Sequence, residues 1–167
     1  MLTIQAAGID AIPVIQSIAR SSWAVAYKNI LKPVQMDYML KKFYSDSTLQ
    51  YQINDLQFQS VLAVDDAVPV GFATYSAKEN SENIFRLHKI YILPDQQGKG
   101  IGKCLLNHII ADIKTKDAKI LELNVNRNNV AKDFYEKFGF IVIKEEDIDI
   151  GNGYFMNDYV MQKSLTS

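Results

Sequence analysis

The strand and helix signals predict an α/β domain built on one mixed sheet. Three observations carry that expectation. The N-terminal third turns helical after one short opening strand. A glycine-rich loop, DQQGKGIGK from Asp95 to Lys103, joins a long β-branched strand to a strongly amphipathic helix. The chain then closes with two strands joined across Gly151-Asn152-Gly153, a strong hairpin turn. The order β, helices, three strands, α, β, α, β, β is neither a Rossmann alternation nor a barrel.

Leu2 to Ala7 alternates as a strand and stops at Gly8. Asp10 reads as the N-cap of a helix carrying Ile12, Val14, Ile15, Ile18 and Ala19, with Pro13 tolerated in its first turn. Asn29 to Pro33 interrupts, and helices follow at about Val34 to Tyr44 and Thr48 to Asp55. The period then changes. Phe58 to Asp66 and Val68 to Ala77 form a hairpin about Asp65-Asp66-Ala67. Glu82 to Leu93 is a long strand ended by Pro94. Ile101 to Lys114 carries a broad apolar stripe through Leu105, Leu106, Ile109, Ile110 and Ile113, so it is a helix. Lys119 to Val125 is a buried strand, and Asn128 to Lys137 is a short helix stopped by Gly139. Strands at Phe140 to Ile150 and Tyr154 to Lys163 complete the chain.

Bulk properties bound the function. A length of 167 residues predicts one domain, 1–167. A net charge of −1 gives no field that would favour nucleic acid or a membrane surface. The single cysteine, Cys104, excludes an internal disulfide framework, and two histidines are too few for a histidine-built zinc centre; carboxylate-assisted binding stays open, but no metal is expected. The N-terminus lacks the basic segment of a signal peptide. No apolar run approaches the roughly 20 residues of a membrane span, which makes the cytoplasm the default location.

Glycines at the start of a helix suggest phosphate. Helix N-termini present unpaired N–H groups and partial positive charge. A Walker A loop fails in both registers. Gly102-Lys103 would need glycine where Gln97 stands and a hydroxyl where Cys104 stands, and Gly98-Lys99 would need glycine at Leu93. A dinucleotide fingerprint places its third glycine where Lys103 stands.

The pattern that fits is Gln97-Gly98-Lys99-Gly100-Ile101-Gly102, a Q-x-x-G-x-G loop. Here the chain resembles the GNAT superfamily of acetyl-CoA-dependent N-acetyltransferases. A second segment, NVNRNNVAKDFYEKFGF from Asn124 to Phe140, matches the family's other signature. The resemblance covers about Val61 to Lys163, and around Trp23 and the C-terminal hairpin it leans toward bacterial spermidine/spermine acetyltransferases.

The resemblance implies a splayed central sheet flanked by helices. It implies that the backbone N–H groups of Gln97, Gly98, Lys99, Gly100, Ile101, Gly102 and Lys103 hold the pyrophosphate of acetyl-CoA. Backbone groups of Ile90, Tyr91 and Ile92 would bind pantetheine and polarise the acetyl carbonyl. Asn128 would hydrogen-bond the coenzyme, or act as an ordinary N-cap, the two roles being compatible, and Asn129 could share the cap. Tyr135 is the expected general acid, since a phenol keeps its proton at neutral pH and can give it to a thiolate. His88 stands where family members place a catalytic glutamate and is the candidate base, with Glu82 further back. His108 and Cys104 read as structural, Cys104 as a small buried residue, and Phe134 and Phe138 as core.

The expected reaction is direct attack of a primary amine on acetyl-CoA. A small amine or polyamine is the favoured acceptor, with a peptide amine as another class. Glu145, Glu146, Asp147, Asp149 and Asp158 could attract a cationic acceptor or simply protect an edge strand. Trp23, Tyr27 and Tyr154 could wall its pocket. A catalytically silent acetyl-CoA sensor is the alternative function. A homodimer stands as open as a monomer.

Overall fold

The computed structural model describes residues 1–166. Seven strands form one sheet: β1 (Leu2–Ala7), β2 (Gln59–Asp65), β3 (Val68–Ala77), β4 (Ile84–Ile92), β5 (Ile120–Asn126), β6 (Ile141–Gly151) and β7 (Tyr154–Ser164). Their order is β1-β2-β3-β4-β5-β7-β6, so the closing hairpin inserts β7 beside β5. Only the β4–β5 pair is parallel. The crossover between them is the helix α4 (Ile101–Lys114), as a parallel pair requires. The helices α1 (Ile12–Ala26), α2 (Pro33–Tyr44) and α3 (Asp46–Asn54) precede β2, and α5 (Ala131–Phe138) follows β5. Among the described residues no helix is long and apolar enough to cross a membrane.

The sheet buries both faces in separate cores. Leu121, Leu123 and Val125 of β5 face the side where α4 packs through Leu105, Leu106, Ile109 and Ile113. Phe72 faces the other side, against Ile15, Ile18, Ala19 and Trp23 of α1 and Met39 and Tyr44 of α2. Period-two alternation therefore sends Glu122, Asn124 and Asn126 to the α1–α3 side.

Two helix starts differ from the sequence expectation. A 3-10 turn, Ile9–Ala11, precedes α1, and Asp10 lies inside it, so Asp10 does not cap α1. The helix α5 begins at Ala131 rather than Asn128. Asn129 Oδ1 accepts the Ala131 N–H at 2.9 Å, and Asn126 Oδ1 accepts the Asn128 N–H at 2.9 Å. The two side chains hold Asn128 to Val130 as a turn, which takes the capping role from Asn128.

Two irregularities of β4 shape everything near it. Ladder pairing with β5 covers only Ile84↔Ile120 to Leu87↔Leu123 and then stops, although both strands continue. On its other edge β4 pairs β3 with a shift: Thr74 opposes Lys89 while Tyr75 opposes Leu87, leaving His88 as an extra residue. This bulge resets the alternation, so Leu87 and Ile90, three apart, both face α4.

The pairing just below the split is held by Glu122. Its carboxylate, 2% exposed, receives Arg86 of β4, Lys78 beyond β3 at 3.1 Å and Gln162 of β7 at 2.6 Å. Burial alone would raise this carboxyl. The hydrogen bonds from Gln162 and Lys78 and the Arg86 charge outweigh it and hold it below its ordinary value. Glu122→Gln leaves two cations without their anion and is expected to cost about 2 kcal/mol in urea unfolding at pH 7. The wild-type advantage should be complete above pH 4.5 and vanish as acid protonates the native carboxyl. An unchanged denaturation midpoint for the variant would remove Glu122 as the clasp.

Candidate functional site

Because β4 and β5 part after Leu87 and Leu123, a gap opens through the sheet. A cleft of about 1130 Å³ runs along it, from the glycine loop and α5 on one side to α1, Phe43, Tyr44 and Gln52 on the other. The cleft exceeds the roughly 300–1,000 Å³ typical of a pocket for one drug-sized ligand.

At the first end, Gly98 and Gly100 have φ of 81° and 78°, a region glycine adopts without steric cost. No atom lies within 4 Å of where a Cβ would stand on either, so these glycines serve the backbone path rather than close packing. Gly102 differs. A Cβ there would meet Ile92 Cδ1 at 3.3 Å and Phe134 Cζ at 3.4 Å, so the first turn of α4 sits tightly against β4 and α5. Gln97, Gly98, Gly100, Ile101, Gly102 and Lys103 all border the cleft. Lys99 does not, and its ammonium turns away to Gln96 Oε1 at 3.0 Å. The arrangement offers a helix N-terminus, an open loop and one lysine to a phosphate, which suits a pyrophosphate.

Ile90, Tyr91 and Ile92 border the cleft where β4 has lost its β5 partner. A ligand with amide groups can take the missing strand's place there. The Ile92 carbonyl is already occupied, since Ser22 Oγ of α1 donates to it at 3.0 Å. Tyr135 of α5 borders the cleft with its ring at edge angles to Phe134 and Phe140. Burial and the nearby Tyr27 push its hydroxyl well above the ordinary tyrosine value, so it stays protonated. Phe134, expected as core, is 38% exposed and also borders the cleft.

Comparison with known proteins bears on this geometry. Residues 28–162 match the model of the acetyltransferase (GNAT) domain. The chain belongs to the GNAT acetyltransferase family. A spermidine N(1)-acetyltransferase of Thermoplasma acidophilum is 28% identical over 99% of both chains. The crystal structure of PaiA N-acetyltransferase from Thermoplasma acidophilum with coenzyme A superposes with a TM-score of 0.83 at 27% identity, covering 98% of this chain and 99% of that one. A [ribosomal protein bS18]-alanine N-acetyltransferase of Haemophilus influenzae is 36% identical over 52% of this chain and 53% of its own. The protein is therefore an acetyl-CoA-dependent N-acetyltransferase with the splayed mixed sheet of its family.

In this GNAT chain His88 borders the cleft, but its surroundings weaken it as a base. Its ring stacks on Phe58 at 4.0 Å and 8°, and Nε2 meets Ser76 Oγ at 2.7 Å. Burial, then the charges of Arg86 and Lys89, lower it to about 4. Such a ring is a weak proton acceptor for an ammonium. Glu82, the other candidate, does not border the cleft. Cys104, expected to be buried, is exposed on α4. Asn128 is exposed and borders the cleft, with its amide released from capping.

The acidic run lies on the exposed edge strand β6 and is largely paired within the chain. Arg127 pairs with Asp147 at 2.5 Å and reaches Glu145 at 4.0 Å, Lys144 holds Glu146 at 2.8 Å, and Asp149 accepts the Gly151 N–H at 2.8 Å. Of the acidic residues named, only Asp158 borders the cleft, together with Trp23 and Tyr27. Tyr154 borders a smaller neighbouring recess of about 250 Å³. Asp158 is 2% exposed, and Asn124 Nδ2 donates to its Oδ2 at 3.2 Å. Burial raises its carboxyl, and Glu146 adds to this against the Asn124 hydrogen bond.

Two measurements check this geometry. His88→Gln should leave any activity limb near pH 6.5 in place, because the native ring titrates near 4. The neutral buried ring contributes stability that is complete above 6.5 and lost as pH falls toward 4. Coenzyme A at 100 times its Kd should stabilise the wild type by about 2.7 kcal/mol. Gly100→Val, forced into an unfavourable φ, should weaken that binding about tenfold by calorimetry, roughly 1.4 kcal/mol.

Proposed function

We propose that the protein acetylates the primary amine of a small molecule, with Tyr135 as general acid and Asp158 as the base that receives the amine's proton. The observation that carries this reading is the cleft through the split sheet. It brings a glycine loop, an unpaired strand edge, a protonated phenol and one buried carboxylate to one continuous space.

Acetyl-CoA supplies the thioester carbonyl that the amine attacks. Backbone N–H groups of Gln97 to Lys103 hold its pyrophosphate, aided by the Lys103 charge. The free edge at Ile90 and Tyr91 binds the pantetheine amides and polarises the carbonyl. Asp158 takes a proton from the ammonium, and a carboxyl raised by burial is better matched to that task than an exposed one. The amine nitrogen then bonds to the carbonyl carbon, the carbon–sulfur bond breaks, and Tyr135 gives its proton to the sulfur. Asn128, with no helix to cap, is free to hydrogen-bond the coenzyme.

A spermidine acetyltransferase among the relatives favours polyamines as acceptors. The engaged acidic run argues against a site for several ammonium groups, because one carboxylate faces the cleft. A silent sensor predicts stabilisation by acetyl-CoA without thiol release.

Thiol release with a panel of amines tests the activity. Tyr135→Phe should lower kcat about 100- to 10,000-fold and leave the KM for acetyl-CoA near its original value. Asp158→Asn should lower kcat/KM for the amine and remove the acidic limb of its pH profile. A Tyr135→Phe protein with full kcat would end the acid assignment.

A further inference from the structure

The α1–α3 end of the cleft holds one cation, Lys89, without a neighbouring anion. Lys89 borders it, made to face the helices by the bulge at His88. Its Nζ donates to Gln52 Oε1 at 2.7 Å and lies 4.7 Å from the centre of the Tyr44 ring. Both partners are neutral. Burial lowers Lys89 to about 8, and no neighbouring carboxylate counters it. A half-buried ammonium normally finds a counter-charge or gives up its proton. Arg86, on the same strand, is already neutralised by Glu122.

A second observation points the same way. Trp23 Nε1 is buried and forms no hydrogen bond of good geometry, the neighbouring Tyr44 hydroxyl being close to it but poorly placed. The indole is 5% exposed and borders the cleft, packed against Tyr44 at 5.8 Å and at an edge angle. Buried N–H donors in native proteins are almost always satisfied. Lys89 and Trp23 therefore flank the same tyrosine, one with a cation lacking an anion and the other with a donor served only by a poorly placed tyrosine hydroxyl. An oxyanion from a ligand would complete both. Asp158 borders the same cleft and supplies its only facing carboxylate among the acidic residues named above.

We propose that the acceptor is an amine that also bears a carboxylate, its amine set by Asp158 and its carboxylate held by Lys89 and the Trp23 indole N–H beside Tyr44. The inference rests on the transferase reading above and narrows its substrate to a class. A polyamine would place a second cation near Lys89, where like charges repel. An amino-acid-like acceptor presents opposite charges to Asp158 and Lys89.

The test uses pairs of amines that differ by one carboxylate: lysine with cadaverine, and leucine with isopentylamine, with spermidine as a cationic reference. The full-length protein is assayed by thiol release. Binding to its coenzyme A complex is measured separately by calorimetry. The carboxylated member of each pair should have a kcat/KM about tenfold or more above its partner, in keeping with a charge-assisted contact. Lys89→Met keeps the stem length, and should lower kcat/KM for the carboxylated members about 10- to 100-fold while changing the others less than about threefold. Trp23→Phe should show the same selectivity at smaller size, and thermal midpoints confirm that both variants fold. A preference for spermidine or for the decarboxylated members overturns the proposal, as does a carboxylate preference that survives Lys89→Met. If no amine releases thiol, the transferase reading fails instead. Calorimetry then still decides the subsite: Lys89-dependent binding of the carboxylated members supports it, and its absence overturns it.

Discussion

The place where β4 stops pairing with β5 is the constraint on which the rest depends. Above Leu87 and Leu123 the two central strands diverge, and a sheet split at its middle must either fill the gap with side chains or leave it for a ligand. Here the gap stays open as the cleft. Glu122 sits immediately below the split and draws Arg86, Lys78 and Gln162 to one carboxylate, tying β4 and β7 to β5 where the pairing ends. A clasp of charged groups suits this place, because charge-assisted hydrogen bonds are directional where apolar packing is not.

The bulge at His88 is the second consequence of that geometry. One extra residue on β4 turns Lys89 toward the helices and returns Ile90 and Ile92 to the α4 core. The same residue is then stacked on Phe58 and bonded to Ser76, and burial there holds the ring neutral with a weakened affinity for a proton. Without the bulge, the alternation would bury the Lys89 ammonium among the aliphatic side chains of α4, at high cost.

Charge is distributed along the cleft in a consistent way. The glycine-loop end has a helix N-terminus and Lys103, the middle has the neutral hydroxyls of Tyr27, Tyr91 and Tyr135, and the far side has Asp158 and Lys89. Tyr27 and Tyr91 share a contact of 3.2 Å between their hydroxyls, and burial keeps both protonated. The acidic residues that look most available in the sequence, Glu145 to Asp149, are held by Arg127, Lys144 and a hairpin turn. An edge strand benefits from such charge whether or not a substrate is near.

The chain alone determined a great deal. Periodicity set the seven strands, and the helices α1 to α5 to within a few residues at their ends, because alternation and the 3.6-residue stripe are local properties. The glycine loop marked a phosphate site, because backbone freedom at Gly98 and Gly100 is a property of residue type, and its resemblance with the Tyr135 segment to the GNAT family implied the coenzyme and the reaction. Tertiary structure decided the polar residues. Nothing in the sequence marked Lys89 as part of the site, because its direction depends on a bulge created by pairing with β3. Asp158 and Asp147 look alike in sequence, yet one borders the cleft and the other meets Arg127. His88 differs from a catalytic base only by its neighbours Phe58, Ser76, Arg86 and Lys89. Charge and proton affinity are set by what surrounds a group, and no residue's surroundings exist until the strands have paired.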